Sequence, residues 1–264
     1  MNVPDVPVGF GLLGPLLVSD VRGAPIHIPQ AKQRIIMAAL LLRANVTVSG
    51  EQLADALWED KRPPNARAAV RTYVARLRRT LGQVGARLVS RPVGYAIEVR
   101  EPREFDLAEL ERFRAESREA AEAEQWERAA LSSRKALNLW RGTPLEDIPS
   151  AMLHRSIAEQ LYELRLQLAT TRIDAELHLG RDHYVIADLR QLAGEHPLRE
   201  HIQAQLMLAY YRCGRQAEAL GVYRRVRVTL IDELGVDPGP ELRQLHQHIL
   251  AADPVLDPPR WSRM

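Results

Sequence analysis

Residues Asn65–Gly82 read N-A-R-A-A-V-R-T-Y-V-A-R-L-R-R-T-L-G. At about 100° per residue, Ala66, Val70, Tyr73, Val74, Leu77 and Leu81 share one arc of a helix. Arg67, Arg71, Thr72, Arg76, Arg78 and Arg79 fall on the other, and the small side chains of Ala68, Thr72 and Ala75 lie at its middle. A helix that is small at the centre of its polar face and flanked by guanidiniums can sit deep in a DNA major groove. Its arginines then reach phosphates and guanine edges. A surface helix with a solvated basic face reads the same way, so the neighbouring sequence has to decide. Asn65 is placed to cap the start and Gly82 to end the helix.

Working outward, Val8–Val18 and Ala24–Ile28 are apolar and flank the turn-prone Asp20–Gly23, which predicts a hairpin. Gln30–Arg43 has a helical pattern, and Asn45–Ser49 is a short extended link. Ser49 is expected to cap a second helix with Leu53, Ala54 and Leu57 on its apolar face. Trp58–Pro64 is a loop, because its proline pair cannot continue a helix. After the arginine helix, Arg87–Val99 reads as two short strands around Arg91–Gly94. Strands, three helices and a hairpin, in that order, make a winged helix-turn-helix. Its third helix enters the major groove and its hairpin reaches the adjacent backbone or minor groove.

The chain has 264 residues, 46% hydrophobic and 27% charged, enough for two domains with real cores. No apolar run approaches the roughly 18 residues of a membrane span, and no basic-then-apolar leader opens the sequence. The lone Cys213 has no internal disulfide partner. A cytoplasmic, nucleoid-associated protein without membrane contact is therefore expected. The net charge of +2 conceals a division. Residues 1–100 hold 14 Arg or Lys against 7 Asp or Glu, a net +7, while residues 101–264 hold 22 against 27, a net −5. A basic first part joined to an acidic second part fits a nucleic-acid reader attached to a module that is not one.

The second part is helical and contains a repeat. Gly180-Arg181 and Gly214-Arg215 are 34 residues apart, the period of tetratricopeptide repeats. Aligning them pairs Val185 with Ala219, Ile186 with Leu220, Leu189 with Tyr223 and Leu192 with Val226, one buried helix face. Each Gly suits a left-handed turn after a helix, and Glu124–Ala129 is a weaker copy. An unrelated helical bundle is the competing reading.

Catalytic constellations are not found. Gly9–Gly14 matches G-x-G-x-x-G, but Pro15 and an extended run follow where a dinucleotide site needs a helix. No phosphate-binding G-x-x-x-x-G-K-[ST] and no G-x-S-x-G elbow occur. The eight histidines lack partner cysteines and read as surface or packing residues, so neither metal nor cofactor is expected. Cys213 lies near Arg212 and Arg215, which could lower its pKa. A small apolar residue at a helix end is the simpler reading.

Four stretches in order, Ala31-Lys32-Gln33-Arg34, Leu53–Trp58, Tyr73–Gly82 and Arg91–Tyr95, resemble the response-regulator type of winged helix as used by the Streptomyces antibiotic regulatory proteins. Ala31 stands where such proteins usually have Pro. His196–Glu200, Leu206–Leu220 and Glu233–Leu242 resemble the bacterial transcriptional activator domain, which follows the winged helix in that family. The resemblance implies a mostly α fold. Residues 1–100 would form a winged helix-turn-helix with a small β-sheet and wing, residues 104–250 a tetratricopeptide-like activator domain, and residues 251–264 a Pro-rich tail. It further implies a non-enzymatic activator that binds direct repeats in double-stranded DNA as a side-by-side dimer. The activator would recruit RNA polymerase, including its sigma factor, to a secondary-metabolite cluster of an actinomycete. Thr72, Arg76 and Arg79, with Arg67, Arg71 and Arg78 beside them, would read and clamp the groove. Ser90, Arg91 and Tyr95 of the wing would hold the flanking backbone. The loop residues Glu59, Asp60, Lys61 and Arg62 lie where the response-regulator winged helix meets RNA polymerase. A repressor with the same DNA chemistry, or a repeat scaffold whose winged helix binds protein, are the alternatives.

Overall fold

Ser49 has the extended backbone of a helix cap. Its hydroxyl accepts from the Gln52 amide while the Gln52 side chain accepts from the Ser49 amide, the reciprocal pair that starts helix α2, Gly50–Trp58. The computed structural model describes residues 9–59 and 61–257, and these fall into two compact units. One comprises the described residues up to Ala115 together with Lys135–Leu166; the other comprises Glu116–Arg134 and the described residues from Gln167 onward.

In the first unit, β1 (Phe10–Gly11) pairs antiparallel with β2 (Leu17–Val18). Helix α1 (Ala31–Leu41), β3 (Val48–Ser49), α2 and α3 (Ala66–Leu81) follow. A tight turn at Gly82–Arg87 leads to β4 (Leu88–Arg91) and β5 (Gly94–Ile97). The sheet order is β3-β5-β4, antiparallel throughout. Ile35 through Leu41 are all buried, so α1 is the central helix against which α2 and α3 pack. Val70, Val74, Leu77 and Leu81 carry the apolar arc of α3 into that core. Leu145, Ile148 and Leu153 belong to the same core although they come from a distant part of the chain.

Two local expectations change. The strand pairing falls inside the first apolar run rather than between that run and Ala24–Ile28; Val8 lies outside the described residues. Asp20 does make the expected turn, its carboxylate accepting from the Arg22 and Ala24 amides. Across that turn a single antiparallel bridge forms, Ser19 to Pro25, with the Asp20 amide donating to the Ala24 carbonyl at 2.9 Å and the Ile26 amide to the Val18 carbonyl at 2.7 Å, so the expected hairpin is present as one bridge rather than as two strands. Asn65 does not cap α3 with its side chain: its φ of −101° and ψ of 33° are not the extended cap conformation. Gly82 ends the helix with φ at +55°.

Helices α4 (Asp106–Glu122), α5 (Trp126–Leu137) and α6 (Ala151–His178) contribute to both units. The second unit continues with α7 (Asp182–Glu195), α8 (Glu200–Arg212), α9 (Gln216–Leu234) and α10 (Pro240–Ala251), with α8 packed on α7 and α9. The Gly-Arg repeat is a repeat of one turn. Gly180 and Gly214 have φ of +68° and +75°, and the following arginine amides reach back to the Glu176 and Tyr210 carbonyls, each at 2.9 Å. Glu124 has φ of +55° and the Gln125 amide reaches the Ala120 carbonyl at 2.8 Å, so the weaker copy uses the same turn without glycine. Of the aligned residues, Val185, Leu189, Ala219 and Val226 are buried, whereas Ile186, Leu192, Leu220 and Tyr223 are only half-buried, so the repeated face is buried in part.

Candidate nucleic-acid interface

Helix α3 carries five arginines and no acidic residue. Its buried arc fixes its rotation in the fold, so the opposite face points outward. Arg67, Ala68, Arg71, Thr72, Ala75, Arg76 and Arg79 are exposed. Arg71, Arg76 and Arg79 have no ion pair or hydrogen-bond acceptor among the described residues. The Thr72 hydroxyl donates only to the Ala68 carbonyl, at 3.1 Å.

The structure separates the remaining arginines from this group. Arg78 is half-buried. Its Nε donates to the Leu88 carbonyl at 2.8 Å and its Nη2 to the Ser90 hydroxyl at 2.9 Å, with the guanidinium 5.9 Å from the Tyr95 ring centroid. Arg78, Ser90 and Tyr95 thus form a strut that holds the wing strands against α3. Arg91 pairs with Glu98 at 3.6 Å across the wing. Between α3 and the wing lies a groove of 650 Å³, lined among others by Arg67, Arg71, Ser90, Arg91 and Tyr95. On its other edge the wing pairs closely with β3 because Gly94 has no side chain. A Cβ there would stand 2.0 Å from the Val48 carbonyl oxygen on the neighbouring strand.

The loop after α2 is largely occupied within the fold. Glu59, at φ +50°, accepts through Oε1 from the Met152 amide at 3.0 Å, in the first turn of α6. Asp60 lies outside the described residues. Arg62 pairs with Glu51 at 2.6 Å and with Asp55, both on α2. Those two carboxylates, Asp55 first, push the Arg62 guanidinium pKa further up. Lys61 is exposed, and its side chain has no partner among the described residues.

Two residues of this region carry weight that their local sequence did not reveal. Glu51 pairs with Arg67 as well as Arg62, and hydrogen bonds from Arg67 and then Arg62 hold its carboxyl below the usual range. Lys32 donates to the Leu57 carbonyl at the end of α2 and lies 5.4 Å from the Trp58 ring centroid. A cation there meets the negative end of the helix dipole. The acidic first turn of α2 hinted at a charged partner for Glu51; nothing local pointed to Arg67.

The glycine-rich run at Gly9–Gly14 holds a carboxylate of the chain itself. The Leu12 and Leu13 amides each donate to Asp106 at 2.8 Å, and Arg141 pairs with it at 3.2 Å. A Cβ on Gly11 would meet Arg141 Nη2 at 2.5 Å. These two backbone donors are spent on an internal anion. Elsewhere His178 stacks on Trp126 and His246 on Tyr223, with ring centroids 3.9 and 3.8 Å apart. Burial and then Asp182 raise the Cys213 thiol pKa, outweighing Arg215, so the arginines do not activate it. Among the described residues no group of three His, Cys, Asp or Glu could hold a metal, and no helix is long and apolar enough to cross a membrane.

Known proteins match both parts of the chain. Residues 24–97 match the family model described as "Transcriptional regulatory protein, C terminal", and residues 105–250 match "Bacterial transcriptional activator domain". The chain is 40% identical over 253 residues to the transcriptional regulatory protein EmbR of Mycobacterium tuberculosis, covering 93% of this chain and 64% of EmbR. It is 32% identical over 257 residues to the regulatory protein DnrI of Streptomyces peucetius, covering 94% of both. A solved structure of M. tuberculosis EmbR, in complex with a low-affinity phosphopeptide, superposes with a TM-score of 0.86 at 39% identity, over 93% of this chain and 65% of that one. Winged helix and activator domain in this order, with a relative matched along nearly its whole length, place the chain in the Streptomyces antibiotic regulatory protein family of transcriptional regulators.

Proposed function

We propose that the chain is a sequence-specific DNA-binding transcriptional activator. The observation that carries this reading is the division among the α3 arginines. Arg67 and Arg78 are engaged with neighbouring side chains or backbone, whereas Arg71, Arg76 and Arg79 stand exposed beside Thr72 without acceptors among the described residues. Unpaired guanidiniums around a small-residue centre suit bidentate contact with guanine O6 and N7 and with phosphate oxygens. Arg67, at the amino-terminal end of the helix, and Arg91 on the wing then contact the flanking backbone. Arg78, Ser90 and Tyr95 hold helix and wing at a fixed spacing, with Ser90 and Tyr95 also facing the groove where a phosphate would sit.

The binding unit is a side-by-side pair of protomers on a direct repeat, acting in the cytoplasm on the nucleoid. The activator domain and the loop at residues 59–62 engage RNA polymerase and its sigma factor, with Lys61 as the available side chain. Membership of the Streptomyces antibiotic regulatory protein family supports a secondary-metabolite cluster as the target. The functional division runs at residues 1–100, 104–250 and 251–264.

A footprint of the full chain on promoters of its neighbouring genes, repeated over a salt series, tests the reading. A protected direct repeat whose log affinity falls steeply with log salt, by about 0.9 per phosphate contacted, is expected. A palindromic footprint overturns the head-to-tail arrangement, and no protection at any salt overturns the DNA-binding reading. Transcription in vitro from the same promoters separates activation from repression.

A further inference from the structure

A carboxylate in the middle of a DNA-binding face is out of character with that face, and Glu51 is one. It stands in the first turn of α2 and lines the groove between α3 and the wing together with Arg67, Arg71 and Arg91. Its two oxygens are divided between two guanidiniums, Oε1 to Arg67 and Oε2 to Arg62. The pairs do not neutralise buried charge, because the Arg67 side chain is 78% exposed and that of Glu51 46%. The two arginines also differ in dependence. Arg62 has Asp55 as a second anchor, whereas Arg67 has Glu51 alone among the described residues.

We propose that Glu51 is a specificity-determining residue of the DNA-binding face, holding Arg67 through its Nε so that a backbone phosphate takes the Nε–Nη fork of that guanidinium only by displacing the carboxylate. The inference rests on the DNA-binding reading above and adds a residue that acts against binding. Carboxylate and phosphate oxygens compete for the same fork of N–H donors, and a displaced Glu51 then faces the phosphate with like charge. Complexes on random sequence depend almost entirely on phosphate contacts, so they bear this penalty in full. At an operator, the register set by the base contacts of Arg76 and Arg79 lets a phosphate meet the Nη atoms of Arg67 with Glu51 still in place, so the penalty is borne there only in part. The carboxylate thereby widens the ratio of operator to random binding, the quantity that matters against a genome of competing sites.

The test is E51Q in the full chain, which keeps the side-chain shape and removes the charge, with thermal unfolding as the check that the fold is unchanged. Binding is measured to a random-sequence duplex and to the footprinted operator over a salt series. Affinity for the random duplex is expected to rise about threefold or more, and its salt slope to steepen by about 0.9, one additional phosphate contact. The operator-to-random ratio is expected to fall. Adding R67A to E51Q should abolish the gain. An E51Q protein that matches or falls below the wild type on the random duplex, or whose gain survives R67A, overturns the proposal. A wild-type chain that binds neither duplex overturns the DNA-binding reading itself, which is a separate result.

Discussion

Asp106→Ala should loosen the first unit at its Gly9–Gly14 run rather than at the proposed DNA-binding face. The Asp106 side chain is 3% exposed and accepts from the Leu12 and Leu13 amides, both of residues with no exposure. Water cannot replace the carboxylate there without opening the core. Each buried N–H left without an acceptor costs about 1–3 kcal/mol, so two cost about 2–6 kcal/mol. Arg141 adds little, because 34% of its side chain is already exposed to solvent. One effect runs the other way. Burial dominates the environment of Asp106 and pushes its pKa up, so removing the carboxyl also removes a desolvated charge. About 3 kcal/mol of net destabilisation remains, enough to lower a thermal midpoint by about 6–12 °C in a chain of this size. Asp106→Asn retains one acceptor oxygen and should lose about half as much. Circular dichroism melts of the full chain and both variants provide the measurement. If Asp106→Ala melts within about 2 °C of the wild type, the glycine-rich run is not held by this carboxylate and the argument fails. The same geometry predicts that a fragment ending at residue 100 melts well below the full chain, since it lacks Asp106, Arg141, Leu145, Ile148 and Leu153.

Arg76→Ala should weaken operator binding by about 1–3 kcal/mol with an unchanged melt. Arg78→Ala should instead lower stability by about 1–3 kcal/mol, because it removes two hydrogen bonds that hold the wing; equal melts for the two variants would contradict the division drawn among these arginines. Glu104 is held at a pKa of about 2, chiefly by its paired hydrogen bonds with Arg87. A depressed folded pKa contributes stability that is complete above pH 4.5 and is lost as pH falls from there through 2. After allowance for partial exposure we expect about 1–2 kcal/mol, and urea unfolding of Glu104→Gln at pH 7 and pH 3 should show a gap to the wild type that narrows in acid. Lys61→Ala should reduce transcription in vitro severalfold while leaving the footprint intact; loss of both in parallel would mean that Lys61 contacts DNA.

Much of the architecture could be read locally because it is set by near neighbours along the chain. The Ser49–Gln52 cap, the two faces of α3, the wing around Arg91–Gly94 and the 34-residue recurrence of Gly-Arg are patterns within a few turns, and the structure contains each of them. The site was legible as a helix face but not as a set of available groups. Counting arginines on α3 could not distinguish Arg78, which is tied to Leu88 and Ser90, from Arg76, which has no acceptor among the described residues. Nor could the loop at residues 59–62 be sorted by charge alone, since Glu59 serves the start of α6 and Arg62 serves α2.

The sequence by itself determined the helices, their apolar faces, the turns and the order of winged helix and repeat, because periodicity and capping act between residues a few positions apart. Only the tertiary structure decided which charges are spent inside the molecule and where the first core ends. Leu12 finds Asp106 across 94 residues and Leu16 finds Asp147 across 131. Such pairings are fixed by the packing of whole elements around α1, and no local rule specifies a partner at that distance.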